Sequence, residues 1–367
     1  MNVMDGKRTK RCAGCSAELE YSPGSGHLHC PYCGADTPVE GDRHAVEELD
    51  FQRFLAAAEN EEGTWESVDH PCGGCGAVVS LANNVDNDHC PFCGSDIHRA
   101  DEQRRRIRPR SLLPFAISQE QVQEVFLRWL HRIWFAPNDL KKLARATRVN
   151  GVYVPYWTYD MEVTTRYSGR RGDHYYVTEH YRDSKGKTRT RRKRKTRWRS
   201  ASGVVDNRFD DILVIGSHSL PHHFAEKLEP WDLRNLVPFS DDYLAGFRVE
   251  NYSVSLPAGF DSAKQKVDPV IRRTVCRDIG GDVQHISTLN CDWRDISFKH
   301  LLLPVWISAY RYKNKPYRFL VNGRTGEVQA ERPWSFIKIA LLVLAIAAAV
   351  MLMLLIFGVV GGEIAVR

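Results

Sequence analysis

The sequence lacks the short motifs that mark the common enzyme sites. It has no G-x-S-x-G nucleophile elbow, no G-x-G-x-x-G dinucleotide fingerprint and no H-E-x-x-H metal motif. Gly186-Lys187-Thr188 resembles the end of a phosphate-binding loop, but Tyr181 stands where that loop needs its first glycine. We therefore expect a protein without enzymatic activity and without a small-molecule substrate.

A secretory signal is also lacking, because residues 1–12 are basic without an apolar stretch. This predicts that the large N-terminal part stays in the cytoplasm. Reducing conditions there disfavour disulfides, so regularly spaced cysteines are better interpreted as metal ligands.

Charge is lacking throughout the 22 residues 339–360. At about 1.5 Å per residue such a helix spans roughly 33 Å, the thickness of a bilayer's hydrocarbon core. We predict a transmembrane helix over residues 336–360. Arg332 and Lys338 precede the uncharged run, so the positive-inside rule predicts a single-pass protein of the inner (cytoplasmic) membrane whose N-terminal domains are cytoplasmic.

The remaining charge is distributed unevenly along the chain. Residues 1–100 contain 7 Lys and Arg against 17 Asp and Glu, a difference of −10, whereas residues 101–332 contain 42 against 27, a difference of +15. The basic part therefore adjoins the predicted membrane helix.

Eight of the ten cysteines form two copies of one pattern, C-x2-C-x14-C-x2-C, about sixty residues apart. Flanking residues repeat as well, which indicates an internal duplication. The candidate metal ligands of the two copies are Cys12, Cys15, Cys30 and Cys33, and Cys72, Cys75, Cys90 and Cys93.

Two C-x2-C turns supply the four thiolates of a closed tetrahedral zinc site, with no position left for a substrate or water. The pattern therefore predicts two structural Zn²⁺ ions in two zinc ribbons. A redox dithiol or an iron–sulfur cluster is an alternative, and His27, His29 and His89 are alternative ligands. The acidic surroundings favour a protein partner over nucleic acid.

The rest of the chain is expected to be rich in β-strands. Ser118 and Gln121 form a capping box before a helix, Asn138 can begin a second short helix, and residues 42–62 have the apolar spacing of another. Alternating β-branched and aromatic residues predict strands at 151–167, 174–182, 187–199, 211–216, 247–256, 301–312, 316–321 and 326–330.

Residues 187–199, predicted as a hairpin, carry nine basic side chains and no acidic one. We expect one of three roles: a charged edge that resists aggregation, a contact with anionic lipid, or a contact with nucleic acid. The basic residues are Lys187, Arg189, Arg191, Arg192, Lys193, Arg194, Lys195, Arg197 and Arg199.

Several stretches, among them CPYCGAD, WFAPNDLKKLAR, GVYVPYWTYD and FKHLLLPVWISAYRY, resemble a family of bacterial membrane proteins with a zinc ribbon like that of transcription factor IIB. Its members are often labelled primosomal protein N′ (replication factor Y), superfamily II helicase. The resemblance implies a non-enzymatic, membrane-anchored protein, in some genomes encoded beside SPFH-domain or envelope-stress proteins. A helicase needs a phosphate-binding loop and two motor domains of roughly 150 residues each, which this sequence lacks.

These observations predict an α+β protein with two small zinc ribbons, a β-rich antiparallel body with a few helices, and one C-terminal transmembrane helix. The expected function is a membrane-anchored adaptor that binds protein partners; the alternative is a membrane-tethered nucleic-acid-binding factor. The predicted units are zinc ribbon 1 (8–38), a helical linker (42–62), zinc ribbon 2 (68–98), a basic linker (101–110), the cytoplasmic body (111–332) and the membrane helix (336–360).

Overall fold

The computed structural model describes residues 10–39, 47–57, 64–79, 87–98, 102–132, 137, 149–182, 184, 186–220, 222–312, 315–331 and 335–364. The fold is α+β with mostly antiparallel sheets, as the sequence predicts. The described helices are α1 (Phe51–Ala57), α2 (Gln119–Arg132), α3 (His222–Ala225), α4 (Leu256–Ile279) and α5 (Phe336–Ile364).

The strands before the body belong to the two cysteine-rich segments and to short connections. They are β1 (Glu20–Ser22), β2 (His27–His29), β3 (Asp36–Pro38), β4 (Leu49–Asp50), β5 (Thr64–Pro71), β6 (Val78–Val79), β7 (Asn87–His89), β8 (Asp96–His98), β9 (Glu102–Ile107) and β10 (Ser111–Leu112). We call residues 10–39 module 1, and residues 64–79 with 87–98 module 2.

Three very long antiparallel strands form the centre of the body, in the order β12–β11–β15. The strands of the body are β11 (Asn150–Arg182), β12 (Thr188–Ile215), β13 (Val237–Pro238), β14 (Arg248–Val249), β15 (Val283–Tyr312), β16 (Lys315–Asn322) and β17 (Val328–Ala330). β11 pairs with β15 from Asn150 to Gly172 and with β12 from Tyr156 to Arg182. Beyond Gly172 the sheet therefore continues as a two-stranded ribbon.

Helix α4 covers one face of this long sheet. Ser255 caps its N-terminus by accepting a hydrogen bond from Ala258 N–H, and Gly280 follows its last residue with a positive φ of 66°. Its buried residues recur every three or four positions and pack on the strands; they are Leu256, Gly259, Phe260, Ala263, Val267, Ile271, Val275 and Ile279. Over residues 162–170 of β11 the opposite face of the sheet is polar and more exposed.

The largest part of the core lies at the other end of the sheet, which we call the base. There β10 pairs in parallel with β15 at Leu301 and Leu302, β16 pairs with the last residues of β15, and β17 adds to β16. Helix α2 packs here through Phe126, whose ring centroid lies 4.2 Å from that of Phe319. Helix α5 begins six residues after β17 and so leaves from the base.

Two of the three helices predicted before residue 150 are present among the described residues. The capping box of α2 is present, since Ser118 N–H donates to Gln121 Oε1 at 2.9 Å. Within the segment 42–62, α1 packs on the long sheet: Phe51 contacts the rings of Tyr159, Phe260 and Phe298. The second short helix predicted from Asn138 lies outside the described residues.

Several predicted strands differ from the observed ones. Segments 151–167 and 174–182 form one strand, and 187–199 and 211–216 form another, so the basic segment is one edge of a hairpin rather than a hairpin by itself. The prediction of a strand at 247–256 is wrong except at Arg248–Val249, because Ser255 caps α4 immediately afterwards.

The segment 101–110, predicted as a basic linker, contains β9, which pairs with β5 of module 2. Its Arg106 is buried and forms an ion pair with Asp69, while Asn251 Nδ2 donates to the same carboxylate at 2.8 Å. These contacts join module 2 to the body through buried polar groups, which are stabilising only because each has a partner.

Candidate metal centres and basic arm

Module 1 brings its four cysteines to one point through two similar turns. Ser16 N–H donates to Cys12 O at 2.8 Å, and Gly34 N–H donates to Cys30 O at 3.0 Å. The four sulfur atoms lie within 4.8 Å of one another, with Cys12 Sγ 3.5 Å from Cys33 Sγ and Cys15 Sγ 3.4 Å from Cys30 Sγ.

Module 2 repeats this geometry. Gly76 N–H donates to Cys72 O and Gly94 N–H donates to Cys90 O, both at 2.8 Å. Cys72 Sγ lies 3.5 Å from Cys93 Sγ, and Cys75 Sγ lies 3.6 Å from Cys90 Sγ. The repeated sequence therefore folds into two equivalent clusters, each compatible with one metal ion.

The residue after each turn adopts the left-handed conformation. Three of these positions are glycines, Gly34, Gly76 and Gly94, with φ between 72° and 75°, while Ser16 occupies the fourth with φ of 59°. A left-handed residue at this point lets the backbone fold around the sulfur atoms. A tetrahedral ion with bonds of about 2.3 Å to sulfur separates its ligands by about 3.8 Å, so both clusters fit such an ion.

Hydrogen bonds favour the thiolate form, which a metal requires, at three of the sulfurs. The backbone N–H of Cys33 lowers the pKa of Cys30 to about 6. In module 2, the hydrogen bond from Cys90 lowers the pKa of Cys75 to about 5. The backbone N–H groups of Cys15 and Gly14 likewise lower the pKa of Cys12. The pKa values of Cys15, Cys33, Cys72 and Cys90 are raised instead, by hydrogen bonds among the neighbouring sulfurs and by burial.

The histidines near the clusters have other partners. His29 Nδ1 lies 2.7 Å from Asp36 Oδ1, and His89 Nδ1 lies 2.8 Å from Asp96 Oδ1. The two pairs occupy equivalent positions in the duplicated modules. In both described clusters, the grouped ligand atoms are the four cysteine sulfurs alone.

Both modules are packed against the base of the body. In module 1, the ring of Tyr21 meets that of Tyr243 edge to face at 5.2 Å, and Lys10 Nζ forms an ion pair with Asp242 at 2.7 Å. In module 2, Arg318 Nε donates to Phe92 O at 3.0 Å and Arg248 donates to His89 O at 2.7 Å. The modules are therefore fixed parts of the fold.

The equivalent aromatic residues of the second turns have opposite environments. Phe92, between Cys90 and Cys93, is fully buried in a cluster with residues of β11, β15 and β16. Tyr32, between Cys30 and Cys33, is 83% exposed. The sequence pattern predicted the ligands but not this difference, because both positions carry an aromatic residue.

Eight of the nine basic residues predicted as a surface contact lie on β12, and Lys187 immediately precedes it. All of them except Arg199 lie beyond Gly172↔Val283, the last pair of β11 with β15. We call residues 173–182 and 188–197, which pair from Asp173↔Arg197 to Arg182↔Thr188, the arm. All nine predicted basic side chains are exposed. Sequence reasoning did not foresee that strand β11 would place aromatic rings beside them: Arg192 lies over Tyr176 at 4.9 Å, Arg197 over Tyr175 at 5.3 Å and Arg191 over Tyr181 at 5.4 Å.

Helix α5 contains the predicted membrane segment. It is long and apolar enough to cross a membrane, and none of its residues 336–353 is buried against the rest of the protein. A helix that is apolar on every side and not covered by protein is typical of a membrane span.

Comparison with curated proteins finds similarity to the uncharacterized protein YdjG of Bacillus subtilis (strain 168). The two are 26% identical over 345 residues, which cover 90% of this chain and 91% of that protein. No family model and no solved structure matches the chain. The similarity extends along almost the whole chain but assigns no activity.

Proposed function

We propose that this protein is a non-enzymatic, membrane-anchored adaptor in which two zinc ribbons support the fold and the first of them binds a protein partner. Helix α5 would hold it in the cytoplasmic membrane, with the N-terminal domains in the cytoplasm. The sequence resemblance suggests SPFH-type or envelope-stress proteins as partners.

The observation that carries the proposal is the difference between Tyr32 and Phe92. Module 2 uses its second turn to dock on the body, with Phe92 buried and its carbonyl held by Arg318. Module 1 presents the same turn, with Tyr32, to solvent. Exposed tyrosines on a rigid support are frequent centres of protein interfaces, because they bury a large area at low cost in conformational entropy.

Zinc is the metal that suits the two clusters. Four thiolates in a tetrahedral arrangement form a closed site, which suits a structural ion rather than a catalytic one. In module 1 the sulfurs of Cys12 and Cys30 belong to the core of the base, so a bound ion would link the exposed turn rigidly to the body. Binding would then supply folding energy as well as a fixed surface.

The proposal is tested by purifying the tagged full-length protein from its own cells in mild detergent, unaltered and as Tyr32→Ala. Loss of a central aromatic residue costs about 2 kcal/mol in such interfaces, so we expect partner recovery to fall roughly thirtyfold. Tyr176→Ala, which removes another exposed aromatic residue on the arm, is the matched control. Partners retained equally by both variants would refute the role of module 1.

A further inference from the structure

We propose that the arm binds double-stranded DNA, independently of the partner surface on module 1. Residues 173–199 contain 11 Lys and Arg against 3 Asp and Glu, a difference of +8. The charge is concentrated on β12, and it projects beyond the rest of the fold on two strands only.

The alternation of the strand places most of this charge on one face. Every second residue from 187 to 199 is basic, and neighbours on one face of a strand are about 6.6 Å apart. The seven residues of this row are Lys187, Arg189, Arg191, Lys193, Lys195, Arg197 and Arg199. Opposite them on β11, Glu179 accepts from Arg191 at 3.2 Å and pairs with Lys193 at 3.3 Å. Asp173, in register with Arg197 on the same face, is the other acidic residue of the arm, so seven cations face two carboxylates and the face remains positive.

The same face is covered by α4 farther down the sheet. Tyr167 of β11 lies on this face and donates to Asp278 near the C-terminus of α4. The helix ends at Ile279, and β15 begins to pair only at Gly172↔Val283. The row of cations therefore starts where the helical cover stops, and no helix of the described residues covers either face of the arm.

The high proportion of arginine in the basic segment favours phosphate binding over a role in protecting the strand edge from aggregation. Lysine is the residue that most often guards exposed strands against aggregation. Residues 187–199 instead contain six arginines and three lysines. Arginine binds phosphate oxygens through two parallel hydrogen bonds, and the rings of Tyr175, Tyr176 and Tyr181 hold three of the guanidinium groups in place.

Shape also favours a duplex. The major groove of B-DNA is about 12 Å wide and admits a two-stranded β-ribbon. The arm is such a ribbon, with ten paired residues on β11 that extend about 33 Å. The deep and narrow major groove of double-stranded RNA does not admit side chains in this way.

The position of the arm argues against contact with the membrane in which α5 would be anchored. Helix α5 leaves from the base, where Asn150 pairs with Ile307, whereas the arm begins 23 residues farther along β11 at Asp173. At about 3.3 Å per residue this separation is about 75 Å, far beyond a Debye length of about 8 Å in physiological salt. The arm thus presents its charge away from the anchored end.

The test uses the full-length protein in nanodiscs of neutral phosphatidylcholine, titrated with a fluorescent DNA duplex over a series of salt concentrations. We expect binding whose logarithm falls with the logarithm of salt concentration at a slope of about −4 or steeper, since each phosphate contact contributes about −0.9. Because this measurement uses the unaltered protein, its result does not depend on whether a variant folds.

Charge reversal then locates the surface. Arg189→Glu, Lys195→Glu and Arg197→Glu together should weaken duplex binding at least tenfold and reduce the salt slope by about 3. Arg166→Glu, Arg208→Glu and Arg273→Glu make the same change in net charge at exposed positions off the arm and should change affinity less than about twofold. Circular dichroism would verify that both triple variants are folded.

Three outcomes would overturn the proposal. The first is the absence of duplex binding at micromolar protein, and the second is an equal loss in the arm and control variants. The third is arm-dependent binding to anionic phosphatidylglycerol vesicles without binding to the duplex, which would assign the arm to a lipid surface.

Discussion

The two aromatic residues between the paired cysteines show how one sequence pattern leads to two roles. Both modules have four cysteines, a left-handed residue after each turn and a His–Asp pair at the same place. Spacing along the chain determines these features, so the sequence predicts them. The burial of Phe92 and the exposure of Tyr32 depend on body strands more than fifty residues away, which no local pattern contains.

His300 offers a test of the packing at residue scale. It is buried between the rings of Trp157 and Tyr252, and its Nδ1 lies 3.0 Å from Ile107 O. Burial lowers its pKa from 6.5 to about 4. Because the unfolded chain then binds a proton more readily than the folded one, stability is complete above about pH 6.5 and falls as the pH drops toward 4.

We expect this residue to contribute up to about 3 kcal/mol of pH-dependent stability between those values. His300→Gln keeps a donor for Ile107 O but does not titrate, so its free energy of unfolding should depend less on pH. Denaturant unfolding in detergent from pH 4 to 7 measures the difference. Parallel pH profiles for the two proteins would contradict the assigned burial.

At the scale of elements, two glycines explain why one long strand, β11, was predicted as two separate strands. Gly169 and Gly172 fall between the predicted strands 151–167 and 174–182, but both lie inside β11. A Cβ atom at Gly169 would overlap His285 O, and one at Gly172 would lie 2.8 Å from Thr196 Cγ2 of β12 and 3.1 Å from Val283 O. These glycines admit the neighbouring strand β15 at close range, which extends the sheet rather than ending it.

Helix α4 was missed for a related reason. Gly259 and Pro269 break its helical pattern in the sequence, yet both lie within it. A Cβ atom at Gly259 would overlap the Tyr159 hydroxyl and lie 3.0 Å from Trp157 Cδ1. Glycine therefore permits the close approach of helix and sheet, and tertiary packing overrides a weak intrinsic propensity.

The two modules should differ in how firmly they hold metal. In module 1, Cys15 and Cys33 are exposed, whereas in module 2 Cys72, Cys90 and Cys93 are buried. A chelator reaches an ion through its exposed ligands, so we expect metal release in two phases of equal amplitude. A chromophoric chelator added to the full-length protein would measure both.

Replacement of one ligand assigns the phases. Cys15→Ser should abolish the fast phase and leave the slow phase intact, because Cys15 belongs to the more exposed cluster. Cys75→Ser is the equivalent change in module 2 and should remove the slow phase. A single phase for both ions, or the reverse assignment, would contradict the difference in burial.

At the scale of the whole molecule, composition predicted the membrane helix and the β-rich body, but not their arrangement. The base gathers both modules and α2, and the arm lies at the far end of the same long strands. Contacts such as Lys10 with Asp242 and Phe92 with Arg318 join residues more than two hundred positions apart. Such pairings follow from the assembled fold and not from any segment of sequence.

The central claim is that the second turn of module 1 is the partner surface, and photo-crosslinking in living cells tests it most directly. Benzoylphenylalanine would replace Tyr32, Phe92 or Tyr176 in the full-length protein. The account predicts a discrete, light-dependent protein adduct from position 32 and none from the buried position 92 or the arm position 176. No adduct at 32, or the same adduct from 176, would contradict it.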